Sequence, residues 1–321
     1  MQKQQFDIHG ILLLDKPGEI SSNCALQQVK RLFSAKKAGH TGSLDPLATG
    51  MLPICLGEAT KFSQFLLTSD KWYRVVAKLG LRTTTGDSEG EVIASHPISH
   101  ISQEKLEQIL PPFKGAIQQV PPMYSAIKYQ GKPLYRLARK GIEVERQPRL
   151  VHIHTLEVDG WNDDTFSFYV HCSKGTYIRT LVDDIGQKLG CGAHVYRLRR
   201  VAVSPYQNAT MYTLPILESV HQAVGNEGLR ALLLPLESAV DIFPAVQLSS
   251  SAAFNLRMGH TVCIPQLPSA GLIRLLTVGG KFLGLGEVLT DGRVKPHRMV
   301  ARFSSMFPAN VPPPFNRISD I

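Results

Sequence analysis

The run Gly39-His40-Thr41-Gly42-Ser43-Leu44-Asp45-Pro46-Leu47-Ala48-Thr49-Gly50-Met51-Leu52-Pro53 stands out from the rest of the chain. Three glycines and one proline in its first twelve residues argue against a regular helix or strand, so the pattern predicts a structured loop. Asp45 is the only carboxylate in the run, and the proline after it favours an extended backbone. Because an aspartate in such a loop commonly caps a turn, residue type alone leaves its role open.

Strands and helices flank this loop. An apolar run predicts a buried strand at 11–14, and a helix follows with Ser21 or Ser22 as its N-cap. Alternating apolar and polar residues predict strands at 73–79 and 166–172. Apolar spacing from Ile178 to Leu189 predicts a helix, which places Tyr177 and Arg179 at its first turn, where side chains commonly line a cleft. Two further helices are predicted at 102–110 and 213–236.

The composition favours a polyanionic partner. The 321 residues carry 35 Lys and Arg against 26 Asp and Glu, a formal charge of +9. Residues 121–149 mix seven of these cations with three tyrosines, a combination suited to phosphates and stacked bases. A solvated basic surface is the alternative interpretation. We expect the first of these, a basic RNA-clamping insertion at about 121–149.

Several classes of protein are disfavoured. No apolar run is long enough to cross a membrane, and the N-terminus lacks a signal sequence, so we expect a soluble cytoplasmic protein. Five scattered cysteines without a C-x-x-C pair predict reduced thiols. Walker A, G-x-G-x-x-G after a strand, G-x-S-x-G and H-E-x-x-H motifs are absent. His152 and His154 are interpreted as histidines on a strand face, so no metal site is expected.

The chain is expected to hold two domains and a tail. Short strands at 273–278, 282–289 and 294–300 are separated by turn signals and predict a compact antiparallel β unit. We expect a larger domain at 1–245, a small β-barrel domain at 246–305 and a poorly ordered tail at 306–321.

The run at 39–53 closely resembles the signature of the TruB family of tRNA pseudouridine synthases. Further matches follow in order along the chain: Asp15-Lys16-Pro17, Tyr73-Arg74, Thr83-x-Thr85-x-Asp87, Lys174-Gly175-Thr176-Tyr177-Ile178-Arg179, Gly190-Cys191-Gly192-Ala193-His194 and Leu198-Arg199-Arg200. One position departs from the pattern, because Glu19 stands where the family usually has glycine. The resemblance implies an α+β fold, with a mixed or mainly antiparallel sheet in the catalytic domain and a PUA-like C-terminal barrel.

The resemblance also implies an activity and its site. Members of this family isomerise uridine 55 in the T-loop of tRNA to pseudouridine without a cofactor, after flipping the base out of its stack. By resemblance, Asp45 is the nucleophile, attacking either ribose C1′ or uracil C6. Arg179 is then its ionic partner, and Tyr73 stacks on the target ring and assists proton removal from C5.

Other residues of the site carry over in the same way. Tyr177 and Leu198 complete the uracil pocket, Lys16 steadies the loop or the site, and His40 fills the space that the flipped base leaves. The expected partner is the tRNA T-arm, and the chain is expected to be a monomer.

Two alternatives remain. A tRNA-binding protein that acts mainly by remodelling RNA would use the same surfaces with catalysis secondary or lost. A guide-RNA-directed synthase is less favoured, because those relatives usually carry lysine-rich tails and this chain ends in PPPFNRISDI. We therefore expect no guide RNA.

Overall fold

A computed structural model describes residues 6–268 and 270–301. The described part of the chain divides into two compact units, with the boundary between Pro244 and Ala245. The expected tail at 306–321 lies outside the described residues. The functional assignment of the two domains stays a prediction.

Within its described residues, 6–244, the first unit contains twelve strands and six α-helices. The strands are β1 (Gly10–Lys16), β2 (Ala38–His40), β3 (Thr49–Leu56), β4 (Lys71–Leu79), β5 (Leu81–Thr83), β6 (Val92–Ser95), β7 (Gly115–Gln119), β8 (Lys128–Tyr129), β9 (Lys132–Pro133), β10 (Arg149–Trp161), β11 (Thr165–Cys172) and β12 (Ala193–Val203). The α-helices are α1 (Ser22–Leu32), α2 (Ser63–Leu67), α3 (Gln103–Ile109), α4 (Leu134–Ala138), α5 (Ile178–Leu189) and α6 (Leu214–Ala231). Short 3₁₀ helices occur at Gly57–Lys61, Pro111–Phe113 and Leu236–Val240.

One eight-stranded mixed sheet organises this unit. Its order is β1-β3-β12-β4-β11-β10-β7, and β2 pairs with β3 off that path. The β12–β3 pair is parallel and the other pairs are antiparallel. This arrangement confirms the α+β class with a mixed sheet.

Helices cover apolar surface of the sheet. Helix α5 packs its apolar stripe, including Leu181 and Ile185, against Val75 of β4 and Phe168 of β11. A second cluster packs Val29 of α1 with strands β1 and β3 and with α6. Burial of these side chains is the main favourable contribution to folding, at about 25 cal/mol per Å² of apolar surface. Strands β12 and β4 lie in the interior of the sheet, each paired with a strand on both sides.

The structure corrects two predictions from sequence. The run at 39–53 is a loop only from Thr41 to Ala48, because its first residues belong to β2 and its last residues to β3. These ends become strands by pairing with partners distant in sequence, which local composition does not reveal. The helix expected at 213–236 ends at Ala231 and is interrupted at Gly225, where φ is +71°.

The turn at Glu19 keeps the conformation that glycine favours. Glu19 has φ of +64°, in the left-handed region that is unfavourable for a residue with a Cβ. The turn after β1 is therefore formed with glutamate at the position where the family usually has glycine. The backbone path that carries Lys16 toward the loop does not depend on that glycine.

The second unit is built on one five-stranded sheet. Its strands are β13 (Ala245–Leu248), β14 (Val262–Cys263), β15 (Gly271–Thr277), β16 (Phe282–Val288) and β17 (Arg293–Met299), and its helix is α7 (Ser250–Arg257). The order is β13-β15-β16-β17-β14, and the sheet curls into a half-barrel. The three predicted strands form the antiparallel centre, and β13 adds a parallel edge that the sequence did not indicate.

No helix within residues 6–268 and 270–301 is long and apolar enough to cross a membrane. None of the five cysteines, all of which the structure describes, forms a disulfide. Cys55, Cys172 and Cys191 are buried, whereas Cys24 and Cys263 are exposed.

Candidate active site

The loop that carries Asp45 is fastened to the first helix and strand. Ser21 caps α1 by accepting from the backbone N–H of Cys24 at 3.1 Å. Ser22 holds the loop: its Oγ accepts from the Leu44 N–H at 2.7 Å and donates to the Leu44 carbonyl at 2.9 Å. This reciprocal pair fixes the residue immediately before Asp45.

Lys16 fastens the other side of the same loop. Its Nζ is buried and donates to the carbonyls of Pro17 and Ile20, both at 2.7 Å, and to that of Pro46 at 3.2 Å. Burial lowers the pKa of Lys16 to about 8, and the nearby charge of Asp45 opposes that shift. Lys16 therefore bridges the turn after β1 and the residue that follows Asp45.

Asp45 and Arg179 form an ion pair. Arg179 Nε lies 2.9 Å from Asp45 Oδ2, and Arg179 Nη2 donates to Asp45 Oδ1 at 3.3 Å. Two parallel contacts fix the carboxylate in direction as well as position. The Arg179 side chain is 6 % exposed, whereas that of Asp45 is 38 % exposed. One face of the carboxylate is therefore held while the other remains open.

Further groups hold Arg179 in place. Its Nη1 donates to the carbonyl of Thr85 and its Nη2 to that of Tyr124, each at 2.7 Å. The buried carboxylate of Asp87 lies 3.7 Å from Arg179 Nε. Asp87 is itself fixed, since it accepts from the Thr85 hydroxyl and the Glu89 N–H. The guanidinium is thus oriented by three segments of the first unit.

The electrostatics of Asp45 are a balance of opposed effects. Its removal from water raises the pKa of the carboxyl above the ordinary value of 3.8. The Arg179 guanidinium lowers this pKa, whereas the negative charge of Asp87 raises it again. The net shift of the pKa is upward, and pairing with Arg179 is the main effect that favours the ionised carboxylate.

A cavity of about 950 Å³ opens in front of this pair. All the residues predicted for the site except Lys16 line it: His40, Asp45, Tyr73, Tyr177, Arg179 and Leu198. Tyr73 and Leu198 come from the central strands β4 and β12 and are almost fully buried. The volume lies within the range of small-molecule pockets.

The aromatic residues of the cavity are held in different ways. Tyr177 precedes α5, and the buried Gln119 clamps its backbone: Gln119 Oε1 accepts from the Tyr177 N–H at 3.0 Å, and Gln119 Nε2 donates to its carbonyl at 3.3 Å. Burial raises the pKa of Tyr73, and the neighbouring Arg200 charge opposes that shift. Burial and the Arg200 charge both lower the pKa of His40, so its neutral ring is favoured near pH 7.

Two buried cations that line the cavity, Arg200 and Lys71, were not among the site residues predicted from sequence. Arg200 is 1 % exposed and joins the two ends of the Asp45 loop, donating to the Met51 carbonyl at 2.7 Å and to the Gly42 carbonyl at 3.1 Å. Lys71 donates to the Leu67 carbonyl at 3.0 Å, and burial lowers its pKa to about 8. Strand alternation was the available signal, because each cation lies two residues from a predicted pocket residue, Leu198 or Tyr73.

The basic segment 121–149 reaches the cavity rim. Tyr135 and Arg139 line the cavity, and the Arg139 guanidinium lies 5.6 Å from the centre of the Tyr135 ring. Six of its seven cations are exposed: Lys128, Lys132, Arg136, Arg139, Lys140 and Arg149. The seventh, Arg146, pairs with Glu143 at 3.0 Å. Most of the positive charge on this segment is accessible to a polyanion.

Comparisons with known proteins place almost the whole chain within one family. Family models match three adjoining ranges: "TruB family pseudouridylate synthase (N terminal domain)" at residues 30–178, "tRNA pseudouridylate synthase B C-terminal domain" at 179–241 and "Pseudouridine synthase II TruB, C-terminal" at 244–300. A protein of Coxiella burnetii (strain Dugway 5J108-111) named tRNA pseudouridine synthase B is 55% identical over 295 residues, 92% of this chain and 96% of that protein. The protein of the same name from Sodalis glossinidius (strain morsitans) is 53% identical over 300 residues, 92% of this chain and 96% of that protein.

Solved structures show the same fold at lower identity. A structure of an H/ACA RNP bound to a substrate RNA containing 2′-deoxyuridine gives a TM-score of 0.69 at 24% identity, over 90% of this chain and 84% of that one. A Cbf5-Nop10-Gar1 complex gives a TM-score of 0.68 at 26% identity, over 92% and 84%. The family matches, the identity across almost the whole chain and the shared fold lead to one conclusion: the chain belongs to the TruB family of pseudouridylate synthases.

Proposed function

We propose that this protein isomerises uridine 55 in the T-loop of tRNA to pseudouridine, acting on tRNA without a guide RNA. The names of the relatives that are 52–55% identical support the tRNA substrate. The observation that carries the proposal is the Asp45 carboxylate, held by Arg179 at 2.9 Å in a cavity lined by Tyr73. The cytoplasmic location and the monomeric state expected from the sequence stay predictions.

The reaction rearranges bonds within one nucleotide. The bond from N1 of uracil to C1′ of ribose breaks, a bond from C5 to C1′ forms, C5 loses a proton and N1 gains one. No electrons are exchanged with a second molecule and no atom of the nucleotide is lost apart from that exchanged proton. The chain must therefore supply a nucleophile, a means of moving the proton and a closed space in which the base turns.

Asp45 supplies the nucleophile. Its open face points into the cavity, and its other face is paired with Arg179, which orients the carboxylate and favours its ionised form. Attack at ribose C1′ and attack at uracil C6 both require this arrangement. Positioning and exclusion of water are the main contributions that the protein makes to such a step.

Tyr73 stacks on the turning base. Its position on β4 brings the ring into the cavity, and its raised pKa keeps the phenol protonated at neutral pH. A protonated phenol is a poor base, so the principal role of Tyr73 is stacking. Deprotonation of C5 then needs a proton acceptor close to the uracil ring. Leu198 and Tyr177 close the pocket, and Lys16 positions the Asp45 loop through Pro46.

Base flipping assigns a role to His40. Extrusion of a stacked base costs a few kcal/mol, and a ring that fills the vacated space recovers part of this cost. His40 lies at the start of the Asp45 loop with a buried Nδ1 that has no hydrogen-bond partner among the described residues.

The exposed cations of 121–149 bind the phosphates around the flipped nucleotide, and the small C-terminal domain binds a more distant part of the tRNA.

The experiment uses unmodified tRNA transcript and purified protein, with no guide RNA added. Pseudouridine is then mapped by nucleotide position after single-turnover incubation. We expect product at the T-loop uridine and none in a matched transcript in which that uridine is replaced by cytidine. Product at scattered uridines, or product only when a guide RNA is added, would contradict the proposal.

A further inference from the structure

Three side chains of types that can bind a metal ion lie close together on the side of the sheet opposite Tyr73. His154 Nε2 lies 3.2 Å and His171 Nε2 lies 3.6 Å from the same oxygen, Asp70 Oδ2. The three atoms all lie within 4.8 Å of one another. Among residues 6–268 and 270–301, no other group of three or more His, Cys, Asp or Glu side chains has such spacing.

The fold brings these residues together from three segments. Asp70 precedes β4, and its carbonyl accepts from the Ser204 N–H at 3.0 Å. His171 lies on β11, and Trp72 stacks on its ring at 3.9 Å with the planes 8° apart. The β10–β11 register shifts between Ile153 and Thr155, so that His154 is the extra residue of the bulge. Bulges commonly redirect a side chain next to a functional site.

The spacing fits a tetrahedral metal ion. Zinc binds histidine nitrogen and carboxylate oxygen at about 2.0–2.2 Å, so tetrahedral ligands lie roughly 3.3–3.6 Å apart. The distances from the two imidazole nitrogens to Asp70 Oδ2, 3.2 and 3.6 Å, are close to this separation. His171 Nε2 is buried, and Asp70 Oδ2 at 3.6 Å lies beyond hydrogen-bond distance, so a bound ion would satisfy this nitrogen.

We propose that Asp70, His154 and His171 form a binding site for one Zn²⁺ ion, with a water molecule as the fourth ligand. Two imidazoles and one carboxylate favour a borderline divalent ion such as Zn²⁺ over the hard ions Mg²⁺ and Ca²⁺. The side chains of these three residues are between 21 % and 38 % exposed, so the cluster lies near the protein surface.

The site lies apart from the nucleotide cavity. His171 pairs with Trp72 in the β11–β4 register, and successive residues of a strand point to opposite faces. The ion therefore joins β10, β11 and the turn before β4 on the outer face, while Tyr73 of β4 faces the cavity. It acts as a cross-link between segments and takes no part in the isomerisation. His152, beside His154 on the strand, is outside the group of ligands.

The test is calorimetric titration of ZnCl₂ into the full chain, purified without a histidine tag and stripped with EDTA. We expect one saturable site per chain, no comparable site for MgCl₂ and a rise in Tm on zinc binding. His154→Ala and His171→Ala should each weaken binding by at least about tenfold. His152→Ala is the matched control and should leave the affinity unchanged.

A spectroscopic measurement separates loss of the site from loss of the fold. Co²⁺ in a tetrahedral site gives visible absorption bands, which zinc should displace and which both ligand variants should lose while their metal-free Tm stays at the wild-type value. The proposal is overturned if the wild-type chain shows no saturable zinc binding. It is equally overturned if both variants bind zinc as the wild-type chain does.

Discussion

The protonation of Asp45 is governed by two neighbours of opposite charge. Arg179 Nε lies 2.9 Å from Asp45 and favours the ionised carboxylate, whereas Asp87, 3.7 Å from the same nitrogen, disfavours it. Because the proposed nucleophile must be ionised, activity falls as the pH falls through the pKa of Asp45. Since burial raises that pKa, the loss of activity occurs above the ordinary value of 3.8.

Asp87→Asn tests this balance. Removing the Asp87 charge lowers the pKa of Asp45, so the acid limb of kcat/KM against pH moves to lower pH. The kcat/KM profile reports the ionisation of the free enzyme. Asp183→Asn is the control, because Asp183 lies on the same helix as Arg179 but pairs with Arg82 at 2.7 Å. An acid limb that stays in place in active Asp87→Asn protein would refute the electrostatic account.

At the scale of elements, the site depends on a close approach of two parallel strands. Gly50 of β3 is paired with Arg200 of β12 and has φ of +98°. A Cβ at Gly50 would overlap the backbone carbonyl of Arg200. Where β3 and β12 pair, the Arg200 side chain also donates hydrogen bonds to the carbonyls of Gly42 and Met51, at the two ends of the Asp45 loop.

Gly50→Ala should therefore lower the free energy of unfolding by at least about 2 kcal/mol, since both the left-handed φ and the overlap must be relieved by backbone movement. The measurement is urea unfolding at constant pH. Gly39→Ala serves as the control from the same run, because a Cβ there meets no atom within 4 Å. Equal urea midpoints for the two variants would contradict the close-approach account.

The sequence predicted elements well where the pattern was local. The strand around Tyr73 and the helix that begins at Ile178 follow from periodicity, and the structure confirms both. The strands at the ends of the Asp45 loop depend on partners distant in sequence, and the bulge at His154 depends on the register between β10 and β11. Neither kind of pairing leaves a local signal.

The site shows the same limit at the level of single residues. The resemblance supplied Asp45, Arg179 and Tyr73, and the structure places them around one cavity. Arg200 and Lys71 were missed because a cation in a strand is ordinarily assigned to solvent, whereas here backbone carbonyls compensate its burial. The catalytic roles of Asp45, Arg179 and Tyr73 stay predictions.

At the scale of the whole molecule, charge determines how RNA is bound. The net charge of +9 is distributed over the chain, but segment 121–149 places exposed cations beside the cavity rim. Each cation that contacts a phosphate releases a counterion on binding. Affinity should therefore depend on salt with a slope set by the number of such contacts.

Replacing Lys132, Arg136 and Arg139 together by alanine should weaken tRNA binding and reduce the slope of log Kd against log salt by about 2. The comparison is filter binding across a salt series. Arg31, Lys114 and Lys188, exposed cations outside the segment, form a control triple with the same change in charge. Equal slopes for the two triples would show that net charge alone, and not this segment, governs binding.

The central claim is that Asp45 is the nucleophile of an RNA-modifying site, and it is tested most directly by Asp45→Asn. Asparagine keeps the shape of the side chain but removes the charge and the nucleophilic oxygen. Single-turnover nucleoside analysis on unmodified tRNA, combined with equilibrium binding, measures both consequences for the same protein. We predict no detectable pseudouridine from the variant and a tRNA Kd close to that of the wild-type chain. Pseudouridine at the T-loop at a rate near that of the wild type would contradict the assignment of Asp45.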